Sequence, residues 1–525
     1  MTHSSATIVR LGGISDTAVN IWVRAPSSNE FIVEFRDITS SSSGEWRTTI
    51  PTELTGDTDY TSTITLTDLI PESTYEYKVL NVPNEPSSTF ITLPPKHVRG
   101  HMKFAFSSCA MKSMHVGYKL SGFESLMKLT PSFALFLGDL IYADVPLSWF
   151  GFGTNLGAYR AHYRRTFTDP YMEKTSRSLP IQYMYDDHEI LNDVKGREKE
   201  SFSVATDAGR EYAGSSNLGT PLPDAELTAN NEDGFIPAHF VIDAGPACIF
   251  VMDTRGFRED QSILGKNQTK QVKSWLVRSK DVCPFKILAS PVPVTPNYSH
   301  EEGWGGKNDL DEILRFTDDN SIDGIIFISG DSHMQGVYEI APGILEITAS
   351  PASAQGPPFQ TISGDESQVV WEQTTIGQRC GEQWGTVDVD TTIEGGEKLV
   401  VGLYSNCGSG DDYGTPLLEV TIVQGKDWNV TGGSLRGLAV AQSAAEIAAG
   451  GVPLRTQKIG GGAVFVSMMD GTGWIIIGVF VCIPVVIALK CCGARVDGLC
   501  EGKSVGVDGG GGGVDEGVGD EIEMA

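Results

Sequence analysis

The sequence predicts an α/β layered domain preceded by a small all-β sandwich, and three observations carry that expectation. Residues 7–93 hold short alternating runs separated by turn-rich stretches, the pattern of a half-buried all-β module. From residue 102 onward apolar strand-like runs alternate with helical patterns, as expected for helices layered on sheet. Those later runs end in polar residues, and open α/β sheets bind their ligands at the carboxyl ends of their strands.

Length and charge bound the answer further. At roughly 100–200 residues per domain, 525 residues allow two to four units. The hydrophobic share of 40% supplies a sizeable core and rules out wholesale disorder. Lys plus Arg is 39 against 67 Asp plus Glu, a net charge of −28, so the chain lacks the basic footprint of a nucleic-acid binder. An acidic body also repels anionic substrates, unless bound cations reverse the field where they dock.

The elements follow in order. Residues 5–95 carry the runs ATIVRL, AVNIWVRA, FIVEFRD, STITLTDL and STYEYKVL, broken by SSSGEW and TELTGDTD. The segment Leu66–Tyr77 resembles a fibronectin type III domain, whose late-strand tyrosine would fall on Tyr75 or Tyr77; an unrelated β-module is the alternative. Pro94–Pro95 reads as a linker, and the domain behaves as a spacer or lid support. Residues 100–430 form the layered domain. Its strands are MKFAFSSC, SFALFLGD, IQYMYDDHE, the pair in HFVIDAGPACIFVMD, FKILASPV, GIIFISGDSH, GVYEIAPGILEITAS, LVVGLYS and LLEVTIV. Its helices are GYKLSGFESLMKL, an Arg-rich stretch around 156–167, KNQTKQVKSWLVRSK and NDLDEILRFTDD.

The C-terminal part differs in kind. Residues 431–470 are rich in Gly, Ala and Ser and read as a stalk. Residues 474–489 lack any charge, and 471–490 is expected to form one transmembrane helix. The alternative is a buried core helix. Lys490–Cys491–Cys492 is a palmitoylation setting, and Lys490, Arg495 and Lys503 bias the C-terminus weakly toward the cytoplasm. That orientation makes the chain a single-pass membrane protein with its large N-terminal part extracellular or lumenal, although its first residues do not read as a signal peptide. Residues 491–525 hold 8 acidic and 2 basic residues and 11 Gly, and are expected to be disordered. Sequons at Asn267, Asn297 and Asn429 are no more than chance supplies and do not settle the side. The cysteines form no CxxC pair, so a zinc finger is not expected, and Cys380/Cys407 is the pair favoured by local context.

Chemistry collects at five strand ends. These are Ser107–Ser108–Cys109, Gly138–Asp139–Leu140–Ile141–Tyr142, Asp186–Asp187–His188–Glu189 with Asn192 behind, Asp253–Thr254–Arg255, and Gly330–Asp331–Ser332–His333. Taken singly, a strand-end Asp is often a helix cap and a lone Cys is usually core. Capping does not require acids, His and Tyr at every tip. Together they suit a multi-metal centre bridged by Asp139, with oxygen donors fitting Ca²⁺ or Mg²⁺ and thiolate and phenolate fitting Fe³⁺. Arg255 is placed to grip a phosphate oxygen.

The set SSC, GDLIYAD, YDDHE, MDTR and SGDSH resembles the alkaline phosphatase D (PhoD-like) branch of the metallophosphoesterases, over roughly residues 100–350. The resemblance implies a four-layer αββα sandwich, phosphomonoesterase or phosphodiesterase activity, and one Fe³⁺ with Ca²⁺. It implies that Cys109 and Tyr142 bind iron, that Asp139 bridges, and that Asn192 binds calcium. Asp187, Asp331 and His333 would be ligands or hydrogen-bond to ligands and phosphate. His188 would position substrate or protonate the leaving group, with Asp139 and Arg255 completing the catalytic set. The D-x-H, G-N-H-[DE] and G-H-x-H motifs of general metallophosphoesterases are replaced here, so a His-rich two-metal site is not expected. GDLIYAD is also similar to purple acid phosphatases, but their Asn-His pair and Gly-His-x-His do not occur. A third expectation is a phosphatase fold without activity that serves as a binding protein. A lipid- or nucleotide-directed phosphodiesterase cannot be told from a broad monoesterase, because loops 144–160, 194–235 and 294–308 set that choice.

Overall fold

The computed structural model describes residues 5–432, apart from 41–43, 84, 113–118, 146–152, 199, 219–237, 296–302, 355–367, 374–381, 406–413 and 426–427. The N-terminal strands are β1 Ile8–Ile14, β2 Val19–Arg24, β3 Glu30–Asp37, β4 Arg47–Thr48, β5 Thr52–Glu53, β6 Thr61–Leu66, β7 Thr74–Leu80 and β8 Ser88–Ile91. Period-two alternation makes them strands: Phe31, Val33 and Phe35 point inward along β3, and Tyr75, Tyr77 and Val79 along β7. One sheet runs β1-β2-β6 and the other β4-β3-β7-β8, with β5 also on β3. The all-β domain is therefore present. Of the two tyrosines singled out in the sequence, the Tyr75 hydroxyl accepts the Ile70 N–H at 2.9 Å within the domain. Tyr77 instead donates to the Arg177 carbonyl at 2.6 Å, in the domain that follows.

The layered domain contributes β9 His101–Ser107, β10 Phe133–Leu137, β11 Ile181–Met184, β12 Phe240–Ala244, β13 Ala247–Val251, β14 Phe285–Ser290, β15 Ile325–Ser329, β16 Gln335–Ala341, β17 Ile344–Ala349, β18 Val369–Glu372, β19 Gln383–Asp390, β20 Lys398–Ser405, β21 Leu418–Val423 and β22 Asn429–Gly432. Its helices are α1 Gly122–Lys128, α2 Leu156–Phe167, α3 Pro170–Ser178, α4 Ser201–Tyr212, α5 Gly265–Ser279 and α6 Asn308–Asp319. Two seven-stranded mixed sheets result, β11-β10-β9-β19-β20-β21-β22 and β12-β13-β14-β15-β17-β16-β18. β9, β10 and β11 run parallel in the first, and β13, β14, β15 and β17 in the second.

Strand alternation assigns the layers. Phe104, Phe106, Leu135 and Leu137 share one core with Ile249, Ile287, Ile326 and Ile347, which places the two sheets face to face. Ala105, Ala134 and Phe136 point the other way, onto residues of α1, α2, α3 and α4. Phe250, Leu288 and Phe327 likewise meet α5 and α6. The order is helix, sheet, sheet, helix. The sequence reading passes over α3, α4, β18, β19 and β22. α3 is a short polar helix marked mainly by its start, where Asp169 accepts the amides of Tyr171 and Met172 just before Pro170.

Among the described residues no helix is long and apolar enough to cross a membrane. The first two residues of the expected stalk, 431 and 432, instead close β22; the rest of the stalk, the 471–490 span and the acidic tail lie outside the described residues, as do Cys380 and Cys407. The disulfide that is present joins Cys248 on β13 to Cys283 just before β14.

The two domains join through Arg10. Its guanidinium is fully buried, 4.5 Å from the ring centres of Trp22 and Phe167 and 5.1 Å from Tyr183. It donates to Ser216 Oγ at 2.8 Å and to the Tyr212 carbonyl. Burial pushes it down to about 10, so it stays charged at neutral pH. Beside it, Asp59 takes Arg24, Arg164 and the Tyr212 hydroxyl together. Replacing Arg10 by Met removes the cation–π contacts and both hydrogen bonds. Urea denaturation should show a loss of about 2–4 kcal/mol.

Candidate metal centre

The sequence-predicted strand ends converge at the carboxyl edge of the parallel strands. Three overlapping groups form there: Cys109, Asp139 and His333; Asp139, Asp187 and His188; and Asp186, Asp187 and Asp331. Within each group the ligand atoms lie within 4.8 Å of one another. The first sheet supplies Cys109 after β9, Asp139 after β10 and Asp186–His188 after β11; the second supplies Asp331 and His333 after β15.

Local backbone geometry turns these chains toward each other. Cys109, Asp139, Asp331 and His333 all have positive φ, at 60°, 59°, 61° and 53°. This is a conformation that non-glycine residues adopt sparingly and that clusters at functional sites. Ser108 locks the two sheet edges together. Its Oγ accepts the Asp331 N–H at 2.8 Å and donates to Ser350 Oγ at 3.0 Å. The segment after β17 adds Ala352 and Ser353 N–H bonds to the Ser108 and Cys109 carbonyls. Gly330 is required for this approach, because a Cβ there would stand 2.5 Å from Ser108 Oγ.

Glu189 organises the first sheet's edge. Its buried carboxylate accepts the N–H groups of Asp139 at 2.9 Å, Leu140 at 2.5 Å, Ile141 at 3.3 Å and Asp186 at 2.8 Å. One side chain thus fixes the loops after β10 and β11. The YDDHE motif contained this residue, but nothing in its spacing reveals that four backbone amides converge on it. Asp144 is the second group given no role beforehand. Its carboxylate accepts from His188 Nδ1 at 2.8 Å and from the Asn192 N–H.

Each expected site residue has a definite place. Cys109 Sγ lies 3.5 Å from Asp139 Oδ2. The Tyr142 hydroxyl is 3.0 Å from His333 Nε2, and its ring packs 4.1 Å from that of His188. Asp139 Oδ1 accepts the His188 N–H at 3.3 Å. Asp187 accepts the N–H groups of His188 and Asp193. Asn192 is exposed on the following loop, and its side-chain amide donates to Asp193 Oδ2 at 2.6 Å. Arg255 is fully buried and grips both oxygens of Asp186, with Asp187 3.6 Å away. Its charge therefore faces these carboxylates from inside. Asp253 accepts the Tyr185 hydroxyl and the amides of Arg255 and Gly256, which holds the Arg255 turn in place.

The electrostatics fit a cation. Burial first, then Asp187, Asp186 and Glu189, pushes the Asp139 carboxyl well above its ordinary range, against the pull of His188. Burial with Asp139 and Asp331 does the same to the Cys109 thiol, and burial with Cys109 and Asp139 to the Tyr142 phenol. Burial opposes the charge on His188, but Asp139, Asp144 and Asp187 outweigh it and raise it to about 11. Three neighbouring donors held toward their neutral forms are what a bound cation reverses. The donor set joins sulfur, phenol, imidazole and carboxylate, the mixture suited to a transition ion beside a hard cation.

Comparisons with known proteins bear on the family and the fold. Residues 104–395 match the family model described as PhoD-like phosphatase. The solved structure of PhoD is 14% identical, covers 83% of this chain and 93% of its own, and superposes with a TM-score of 0.62, a likeness of fold. GAP50, the anchor in the inner membrane complex of Plasmodium, is 14% identical over 62% of this chain and 90% of its own, with a TM-score of 0.39. The FN5 domain of Drosophila Lar matches 17% of this chain and 94% of its own at 13% identity, with a TM-score of 0.14. No curated protein sequence matches the chain.

Glu189→Gln keeps the shape of the side chain and removes its charge and one acceptor. It should lower bound metal or metal affinity about 10–100-fold, read by elemental analysis alongside circular dichroism. An unchanged metal content would remove Glu189 from the support of this centre.

Proposed function

The chain belongs to the PhoD-like phosphatase family and is a phosphoester hydrolase, and on that premise we propose that it is a membrane-anchored, metal-dependent enzyme acting on phosphomonoesters or phosphodiesters. The observation that carries the reading is the convergence of Cys109, Asp139, Asp187, His188, Asp331 and His333 from four chain segments. In this reading Cys109, Asp139 and Tyr142 hold Fe³⁺. Asp187, Asn192, Asp331 and His333 complete the Ca²⁺ and phosphate environment. Such ions supply Lewis acidity at phosphoryl oxygens and an activated water.

The chain's own groups do the rest. Asp144 holds His188 through Nδ1, which leaves Nε2 to carry a proton toward a leaving-group oxygen. Without a bound cation, the acids around His188 raise it to about 11. Arg255 neutralises Asp186 and part of Asp187, so that buried acids and an anionic substrate can share one site. Glu189 and Ser108 keep the two sheet edges in register.

The anchor is assigned to residues 471–490, with the catalytic domain extracellular or lumenal. The Cys248–Cys283 disulfide supports an oxidising compartment. The donors of a purple-acid site are absent from the sequence, and no strand-end donor has been lost as a dead binding protein would suggest.

The purified protein should carry metal by elemental analysis and hydrolyse p-nitrophenyl phosphate or bis-p-nitrophenyl phosphate. Asp139→Ala should lose the metal and more than about a hundredfold in kcat/KM. Full metal occupancy without turnover on either ester would overturn the proposal. Carbonate extraction and protease protection of membranes test the anchor and the side.

A further inference from the structure

Basic residues from three chain segments meet on one flank of the donor cluster, in a chain whose net charge is −28. The loop after β11 packs directly on the loop after β13. Arg255 Nη1 donates to the Val194 carbonyl at 3.4 Å, and a Cβ on Gly196 would stand 2.8 Å from the Arg258 carbonyl. The Arg197 guanidinium lies 5.4 Å from the centre of the Phe257 ring. Lys307, immediately before α6, reaches the same loop and donates to the carbonyls of Asp260 at 2.7 Å and Glu259 at 3.5 Å.

These cations sense one another and the acids beyond. Burial, then Arg258 and Lys195, pushes the Lys307 ammonium below its usual range. Burial and Arg255 push Arg258 down to about 9, while Asp186, Asp187 and Asp331 pull it back up. Arg258 is buried beside the donor cluster, its Nε donating to the Thr254 carbonyl at 3.2 Å, next to Arg255. The acids facing Lys307 are Asp260 and Asp309, and Asp309 is already committed to Ser262, Thr269 and the Ile263 amide. Like charges gathered from separate segments raise the local concentration of anions and orient them.

We propose that Lys195, Arg258 and Lys307 form a second anion subsite beside the metal centre, and that the enzyme favours phosphoesters carrying a further phosphate group. The subsite rests on the phosphoesterase reading above: the scissile phosphate docks at the strand ends and the second one at the basic flank.

The test compares glucose 1,6-bisphosphate with glucose 6-phosphate, using the full chain, its Lys195→Ser/Lys307→Ser variant and its Lys195→Arg/Lys307→Arg variant. The wild type should prefer the bisphosphate, and added salt should shrink that preference. The Ser variant should lose about tenfold of the kcat/KM ratio, through KM, and the Arg variant should restore it. Equal ratios in wild type and Ser variant would overturn the subsite while leaving hydrolysis intact. Turnover of neither sugar phosphate, nor of p-nitrophenyl phosphate, would overturn the phosphoesterase reading and the subsite with it.

Discussion

Everything at the strand ends depends on holding acids together away from water. Asp139, Asp186, Asp187, Glu189 and Asp253 are all buried, and Asp331 joins them from the second sheet. Burying a charge without a partner is costly, and the fold answers with two kinds of partner. Backbone amides satisfy Glu189 and Asp253, while Arg255 neutralises Asp186 from within. What these partners leave unanswered lies around Asp139, Cys109 and Tyr142. That residue of unbalanced donors is where a cation belongs.

The double sheet is the device that makes such a cluster possible. A single parallel sheet offers one row of loops. Two sheets packed face to face bring two rows to a common edge, and Ser108 ties them with bonds to Asp331 and Ser350. The left-handed backbone at Cys109, Asp139, Asp331 and His333 turns each chain sharply after its strand. That strain is sustained because the strands behind it sit in continuous apolar cores.

The legibility of the sequence was uneven, for physical reasons. Apolar runs such as FALFL and IIFIS announce strands, and the polar residues that end them announce the site, because both are local patterns. The layer order follows once alternation is read on each strand. Glu189 and Ser108 were invisible as supports, since their partners, backbone amides and the Ser350 hydroxyl, are brought near only by the fold. Arg255 read as an anion grip because its pairing with Asp186 spans 69 residues. The Cys248–Cys283 bond was missed for a similar reason: β13 and β14 run parallel as neighbours, which sequence separation conceals. Arg10, inside an ordinary β-strand pattern, gave no hint that it is the hub between two domains.

That hub bears on where the enzyme can be cut. By composition the chain divides near Pro94–Pro95, and a protein engineer would start an expression clone there. The contacts say otherwise. Trp22 donates to the Glu211 carbonyl, Asn20 to the carbonyls of Ser216 and Asn217, and Gly12 lies so close to Ser216 that a Cβ would overlap its carbonyl at 2.2 Å. Removing residues 1–95 would strip the cover from Phe167, Tyr183 and Tyr212, leaving an aromatic face in water next to the β11 edge of the catalytic sheet. The N-terminal domain is thus an integral wall of the hydrolase, and a soluble, well-behaved fragment has to begin before β1.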